Sequence, residues 1–207
     1  MRAKIKICGI TNIKDAIDAV DLGVDALGFV FFKESPRYIE PIKARKIINT
    51  LPAFILRVGL FVNASKGDVL SSINESGVNI LQFHGDETEQ FCNQFNLPYI
   101  KAIPFQDELN LLECCKLFTS CSAILIDTFS DNMRGGTGKT FNWNLIPKNL
   151  PLPLIIAGGL NSGNVSLLIN SISPYGVDVS GGVESDKGIK DYDMMKNFVL
   201  GVNNAGI

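Results

Sequence analysis

Short apolar runs rich in β-branched residues recur along the chain at intervals of roughly 20–30 residues, with helical patterns between them. Parallel strands joined by crossover helices produce this alternation. Eight such runs favour a closed (β/α)8 TIM barrel over an open doubly wound sheet. Because no Pro/Ser-rich linker interrupts them, we predict an α/β fold with a single domain over residues 1–207. The predicted strands are IKIC (5–8), ALGFVF (26–31), RVGLFV (57–62), ILQF (80–83), YIKAI (99–103), AILID (123–127), LIIAG (154–158) and VDVS (177–180).

Three of the intervening segments, NIKDAIDAVDLG, SKGDVLSSINESG and DYDMMKNFVLG, carry apolar residues at helical spacing. The first has Thr11 or Asn12 as a candidate N-cap and Gly23 as a stop, and the second ends at Gly77. The apolar faces are Ile13, Ile17 and Val20 in the first segment, Val69, Leu70 and Ile73 in the second, and Met194, Met195, Phe198 and Val199 in the third.

The composition is that of an ordinary globular protein, since 46% of the residues are hydrophobic and 19% are charged. The 19 basic residues against 21 acidic ones give a net charge of -2, without the basic stripe typical of nucleic-acid binding. No apolar run approaches the roughly 18 residues of a membrane span, and residues 1–11 lack the apolar stretch of a signal peptide. We therefore expect neither a nucleic-acid nor a membrane partner.

The cysteines and the histidine argue against several kinds of site. Five cysteines, an odd number with no C-x-x-C pair, argue against a disulfide framework and predict a reducing, cytoplasmic location. The only histidine is His84, so a histidine-built zinc site or a Ser-His-Asp triad would depend entirely on that residue. We therefore predict no metal site.

Chemically useful side chains follow several predicted strands, where barrels of this kind build their sites. Cys8 ends the first strand, Arg37 follows the second, His84 follows the fourth and Asp127 ends the sixth. Each has an ordinary structural explanation, because a cysteine can fill core space and an aspartate can form a turn. Likewise, a histidine can be a hydrogen-bonded structural side chain, and an arginine can be a solvated loop charge. Their convergence on one rim instead predicts a functional site.

A buried ion pair is predicted beneath that rim. Lys6 and Asp178 each lie two residues before a strand end, with the same alternation as Cys8 and Ser180. Because the first and eighth strands are neighbours in a closed barrel, both side chains should point inward and meet.

Glycine-rich segments follow the last two strands, as IIAGGLNSGN and VSGGVES. Glycine lets the backbone approach a ligand and leaves N–H groups available to an anion. The loops after strands seven and eight are the recurrent phosphate site of this fold, although simple tight turns would also explain the glycines. We predict that Gly158, Gly159, Ser180 and Gly181 bind a phosphate group.

The segment MRGGTGKT at 133–140 partly matches the nucleotide-binding pattern G-x-x-x-x-G-K-[ST]. The pattern fails at Met133, where its first glycine belongs, and residues 141–149 do not have the pattern of the required helix. We therefore interpret the segment as a glycine-rich loop over the barrel mouth rather than as part of an NTPase.

Eight short segments, distributed in order over nearly the whole chain, form one specific set. They are KICGIT (6–11), SPR (35–37), GLFVN (59–63), QFHG (82–85), ID (126–127), GGTGKTF (135–141), AGGL (157–160) and VSGGVE (179–184). This set resembles the phosphoribosylanthranilate isomerase family, whose fold is a (β/α)8 barrel. The resemblance implies an Amadori rearrangement of N-(5-phosphoribosyl)anthranilate in tryptophan biosynthesis.

The same resemblance implies Cys8 as the base, Asp127 as the acid and Arg37 as the group that holds the anthranilate carboxylate. His84 and the glycine-rich loops complete the expected substrate-binding set. The rearrangement transfers no electrons, so we expect no cofactor, and the expected partner is a phosphorylated small molecule. A helix beginning near Thr11 is expected to lower the pKa of Cys8. A monomer and a homodimer both remain open.

Two departures from the family pattern stand out: Gly181 replaces a usual serine, which removes a hydroxyl contact to phosphate, and Phe83 replaces a usual leucine. Another phosphosugar barrel, such as the histidine-pathway isomerase, is an alternative. That enzyme uses carboxylates for both roles, which Cys8 disfavours. A catalytically silent phosphate-binding barrel is a second alternative, disfavoured by the joint presence of Cys8, Asp127 and Arg37.

Overall fold

The described residues contain eight parallel strands that close into a barrel, with the first strand paired to the eighth. The computed structural model describes residues 2–104, 108–127, 146–147 and 149–205. The predicted (β/α)8 barrel is confirmed, and each predicted strand lies within two residues of its observed bounds. The strands are β1 (Lys4–Cys8), β2 (Ala26–Val30), β3 (Leu56–Phe61), β4 (Ile80–Phe83), β5 (Tyr99–Pro104), β6 (Ala123–Asp127), β7 (Leu154–Ile156) and β8 (Gly176–Val179).

Helices follow most of these strands, and a short antiparallel hairpin, β9 (Glu184–Asp186) and β10 (Ile189–Lys190), follows β8. Across the ranges that the structure describes, no helix combines the length and apolarity needed to cross a bilayer. The helices are α1 (Ile13–Asp21), α2 (Pro41–Ile48), α3 (Lys66–Ser76), α4 (Glu89–Cys92), α5 (Glu108–Leu117), α6 (Val165–Ile172) and α7 (Tyr192–Asn203).

The predicted helix boundaries have clear local causes. The side chain of Asn12 accepts a hydrogen bond from the amide of Asp15 at 2.9 Å, which caps the start of α1. Gly23 and Gly77, just beyond α1 and α3, have φ of +87° and +79°. That left-handed conformation ends a helix at little cost only where no Cβ is present.

Only part of the apolar face predicted for α1 is buried. Ile13 and Ile17 are 43% and 42% exposed, whereas Ala16 and Asp15 are buried. The carboxylate of Asp15 accepts a hydrogen bond from the backbone amide of Lys190 at 2.7 Å. Asp15 thus faces inward and Ile13 faces outward, an orientation that apolar spacing alone did not predict.

Side chains alternate between the two sides of the barrel wall along each strand. In β1, Ile5 and Ile7 are fully buried in the core outside the wall, and each such burial stabilises the fold by about 1.5–3 kcal/mol. Lys6 and Cys8 have the opposite orientation. One apolar cluster inside the barrel contains Ile100, Ala102, Ala123, Leu125, Ile155 and Ala157.

Candidate active site

The thiol of Cys8 lies inside the barrel at the carboxyl end of β1, where it packs with Val30 and Leu60. It lies directly above Gly28 of β2, since a Cβ on that glycine would come within 2.8 Å of the sulfur. A residue with a side chain at position 28 would therefore displace the thiol.

Burial raises the pKa of the Cys8 thiol, while the neighbouring Lys6 ammonium group acts in the opposite direction. The expectation of a lowered pKa is wrong, because burial outweighs the groups that favour the thiolate.

Lys6 and Asp178 form the predicted ion pair, with Nζ and Oδ2 2.8 Å apart. Both side chains are buried, at 5% and 7% exposure. Burial alone would lower the pKa of Lys6, but Asp178 and Cys8 raise it by more, so the net shift is upward. Within the described residues, the second oxygen of Asp178, Oδ1, is buried without a hydrogen-bond partner. The base candidate thus lies beside a buried, paired ammonium group.

Asp127 ends β6 and is 7% exposed on the same rim. Its Oδ2 lies 3.5 Å from Nε2 of His84, and Nδ1 of His84 lies 3.3 Å from the side-chain nitrogen of Gln82. When the Gln82 amide donates to Nδ1, the proton of a neutral imidazole sits on Nε2 and faces Asp127. The structure therefore brings His84 and Asp127 together, and it adds Gln82, which sequence reasoning did not identify.

Arg37 lies on the rim, but its guanidinium is already engaged. Its Nε and Nη2 donate to the two carboxylate oxygens of Glu184, at 2.8 and 2.7 Å. Glu184 also accepts from Nζ of Lys190 at 2.7 Å. Burial raises the pKa of Glu184, but the two cations outweigh it and hold that pKa below its ordinary value. No role was predicted for Glu184 or Lys190.

The two glycine-rich loops lie against each other beside Cys8. Gly158 and Gly159 adopt φ of +82° and +65°, and residues Gly181–Val183 form a 3-10 turn. A Cβ on Gly182 would lie only 1.8 Å from the carbonyl oxygen of Leu160, so the loops touch through bare backbone. The glycines thus permit the close approach that amides need to surround an anion.

Ser180 connects these loops to β1. Its hydroxyl donates to the carbonyl oxygen of Cys8 at 3.0 Å. The described residues contain no group of three or more His, Cys, Asp or Glu side chains that could hold a metal ion. The segment at 133–140, interpreted from the sequence as a loop over the barrel mouth, lies outside the described residues.

A closed parallel barrel with a thiol, a carboxyl, an arginine and two glycine-rich loops on one rim belongs to the class of barrel enzymes that act on small anionic molecules. The family model described as N-(5'phosphoribosyl)anthranilate (PRA) isomerase matches residues 5–200. The chain belongs to this family.

Relatives and solved structures agree with that assignment. The N-(5'-phosphoribosyl)anthranilate isomerase of Nitrosospira multiformis is 50% identical over 202 residues, which cover 98% of this chain and 97% of the relative. The crystal structure of phosphoribosyl anthranilate isomerase from Thermotoga maritima superposes with a TM-score of 0.87 at 37% identity, covering 97% of this chain and 98% of that chain. A phosphoribosyl anthranilate isomerase in complex with reduced 1-(o-carboxyphenylamino)-1-deoxyribulose 5-phosphate superposes with a TM-score of 0.83 at 35% identity, with the same coverage.

Proposed function

We propose that this protein isomerises N-(5-phosphoribosyl)anthranilate to 1-(2-carboxyphenylamino)-1-deoxyribulose 5-phosphate, a step of tryptophan biosynthesis. The observation that carries the proposal is the placement of a buried thiol, Cys8, and a buried carboxyl, Asp127, at the carboxyl rim of one barrel in a chain of this family. An aldose-to-ketose rearrangement needs an acid and a base within reach of one sugar.

Asp127 is the acid and Cys8 is the base. Asp127 protonates the ring oxygen, the bond from that oxygen to C1 breaks, and the anthranilate nitrogen supplies the electron pair that forms an open-chain iminium. The Cys8 thiolate then removes the proton from C2 to give a neutral enolamine. The Cys8 thiol returns a proton to C1, and the C2 hydroxyl loses its proton to the Asp127 carboxylate, which gives the ketone and restores both groups. The product is an isomer of the substrate, so atoms and electrons balance without an added reactant.

Lys6 makes this use of a buried thiol feasible. Burial disfavours the Cys8 thiolate, and the Lys6 ammonium group is the largest influence in the opposite direction. The positive charge beside the sulfur stabilises the thiolate in the interior, where charges interact more strongly than in water. The base therefore acts as a thiolate formed next to a fixed cation.

The remaining groups bind the two anionic ends of the substrate. Arg37 holds the anthranilate carboxylate, for which a planar guanidinium is well suited. Backbone amides of Gly158, Gly159, Ser180 and Gly181 hold the phosphate, supported by the close contact of the two loops. His84 lies beside Asp127 and contacts the sugar.

The proposed partner is this phosphorylated small molecule, as in the relative that binds a phosphorylated product analogue. The phosphoribosylanthranilate isomerase of Thermotoga maritima is described as dimeric, and we propose that the present chain is a monomer or a homodimer. Its five cysteines are all unpaired, which supports the reducing cytoplasm as its location.

A fluorescence assay tests the function directly. Freshly prepared phosphoribosylanthranilate should lose its fluorescence when the purified protein is added, and Cys8→Ala should abolish most of that rate. The substrate of the histidine-pathway isomerase serves as the control and should not be converted. A folded parent protein that leaves phosphoribosylanthranilate unchanged would refute the proposal.

A further inference from the structure

Glu184 lies between two cations, and it has no role in the reaction proposed above. Its side chain is 5% exposed and accepts from Arg37 through both oxygens. The ammonium group of Lys190, which is fully buried, donates to the same carboxylate at 2.7 Å. A carboxylate so enclosed has a fixed orientation, because both oxygens are engaged.

Lys190 connects this carboxylate to the backbone around the proposed base. Its ammonium group also donates to the carbonyl oxygens of Cys8 at 2.6 Å and Ser180 at 3.3 Å. The orientation of Glu184 is therefore set by the ends of β1 and β8, the two strands that close the barrel. Glu184 transmits that orientation to Arg37, which lies on a different loop.

The geometry at Arg37 shows which part of the guanidinium a ligand can use. A guanidinium has five N–H donors, and Glu184 takes Nε–H and one hydrogen of Nη2. The edge formed by Nη1 and the outer hydrogen of Nη2 keeps a second pair of parallel donors, spaced for another carboxylate. The Arg37 side chain is 17% exposed, so solvent reaches part of it, whereas Glu184 is 5% exposed.

The turn that contains Gly181 lies close to the Arg37–Glu184 pair. A Cβ on Gly181 would lie 3.3 Å from Nη2 of Arg37 and 3.9 Å from Oε2 of Glu184. The Arg37–Glu184 pair thus lies directly beside the turn proposed to hold phosphate. The proposed carboxylate site and the proposed phosphate site are therefore adjacent.

We propose that Glu184 is a positioning residue that orients Arg37 so that its Nη1–Nη2 edge selects ligands carrying a carboxylate. The inference rests on the proposed function, since it concerns how the same site recognises the anthranilate end of its substrate. Glu184 does not touch the substrate, and its effect acts through Arg37 alone.

Binding of two matched ligands tests this proposal. One ligand is the reduced product analogue, and the other is the same compound without its carboxylate. In Glu184→Gln, the dissociation constant of the carboxylated ligand should rise roughly tenfold, because a neutral amide accepts one hydrogen bond where a carboxylate accepts two charge-assisted ones. The ligand without a carboxylate should bind within about twofold of the parent. Asp186→Asn, in the same hairpin, is the matched control and should change neither constant.

A double-mutant cycle separates positioning from a general structural effect. Arg37→Ala should abolish the preference for the carboxylated ligand, and adding Glu184→Gln to Arg37→Ala should change that preference no further. Equal weakening of both ligands by Glu184→Gln, or a further loss in the Arg37→Ala background, would overturn the inference. If Glu184→Gln does not fold, Glu184→Asp, which retracts the carboxylate by one methylene, supplies the same comparison. A parent protein that binds both ligands but does not isomerise phosphoribosylanthranilate would refute the proposed function instead.

Discussion

The ammonium group of Lys6 and the carboxylate of Asp178 lie 2.8 Å apart inside the barrel, although 172 residues separate them in the chain. Lys6 belongs to β1 and Asp178 to β8, and the two are register partners across the seam that closes the sheet. The pair thus contributes both a cation beside Cys8 and a cross-strand contact at the point of closure.

Lys6→Met should destabilise the protein by about 3–5 kcal/mol, because it leaves Asp178 buried without its counter-ion. Urea unfolding followed by circular dichroism measures this change. Lys4→Met is the matched control in the same strand: Lys4 pairs with Asp25 at 3.2 Å and is 45% exposed, so its loss should cost about 0–1 kcal/mol. Equal losses in the two variants would show that the Lys6 pair contributes no more than a surface ion pair.

Cys8→Ala should lower kcat by roughly 10²–10⁴-fold, the usual contribution of a general acid or base, with little change in affinity for the product analogue. Asp127→Asn should give the same pattern, since asparagine keeps the shape but cannot deliver the proton. Cys115→Ala removes another buried thiol, away from the barrel rim, and should leave kcat unchanged. Near-parent turnover by a folded Cys8→Ala protein would return Cys8 to the role of a core-filling residue.

The pH dependence of kcat/KM should reflect the raised pKa of Cys8. The base must lose its proton, so kcat/KM should rise with pH above neutrality and continue to rise beyond 9.0, the ordinary value for a thiol. Lys6, Asp178 and Lys190 are the charged groups that act on this thiol, and Lys6→Met should move the rise to still higher pH. A profile that levels off below pH 8 would contradict a raised pKa.

The same shift predicts a stability change. The unfolded chain loses the thiol proton at lower pH than the folded one, so the contribution of Cys8 is complete below pH 9.0 and is lost as pH rises through the folded-state pKa. Relative to Cys8→Ala, the melting temperature of the parent should therefore fall only above that pH.

Gly182→Ala should separate the two glycine-rich loops, because the new methyl group would lie 1.8 Å from the backbone carbonyl of Leu160. We expect inorganic phosphate to bind at least tenfold more weakly, measured by titration calorimetry. Gly67→Ala in α3, where the nearest atom to the added Cβ is 3.8 Å away, is the control and should bind phosphate like the parent. Undiminished phosphate affinity in a folded Gly182→Ala protein would place the phosphate elsewhere.

The eight recurring strand-helix units predicted the barrel. The alternation of side chains along the first and eighth strands then predicted the Lys6–Asp178 pair, because these two strands are neighbours in a closed sheet. Glu184 was missed for a physical reason: it follows a glycine turn without periodicity, and its partner Arg37 lies 147 residues earlier. The pKa of Cys8 was predicted in the wrong direction, since the strand end reveals a nearby helix but not the depth of burial that outweighs it.

The seam between β1 and β8 also imposes an order of events on a newly made chain. The carbonyl of Cys8 receives its hydrogen bonds from Ser180 and Lys190, which are synthesised 172 and 182 residues later. Until β8 emerges, one edge of β1 has no pairing strand, and such an edge is open to association with other chains. On the ribosome, β1 therefore waits for its second neighbour until the other seven strands have been made, and the thiol reaches its working environment only after β8 and Lys190 have emerged.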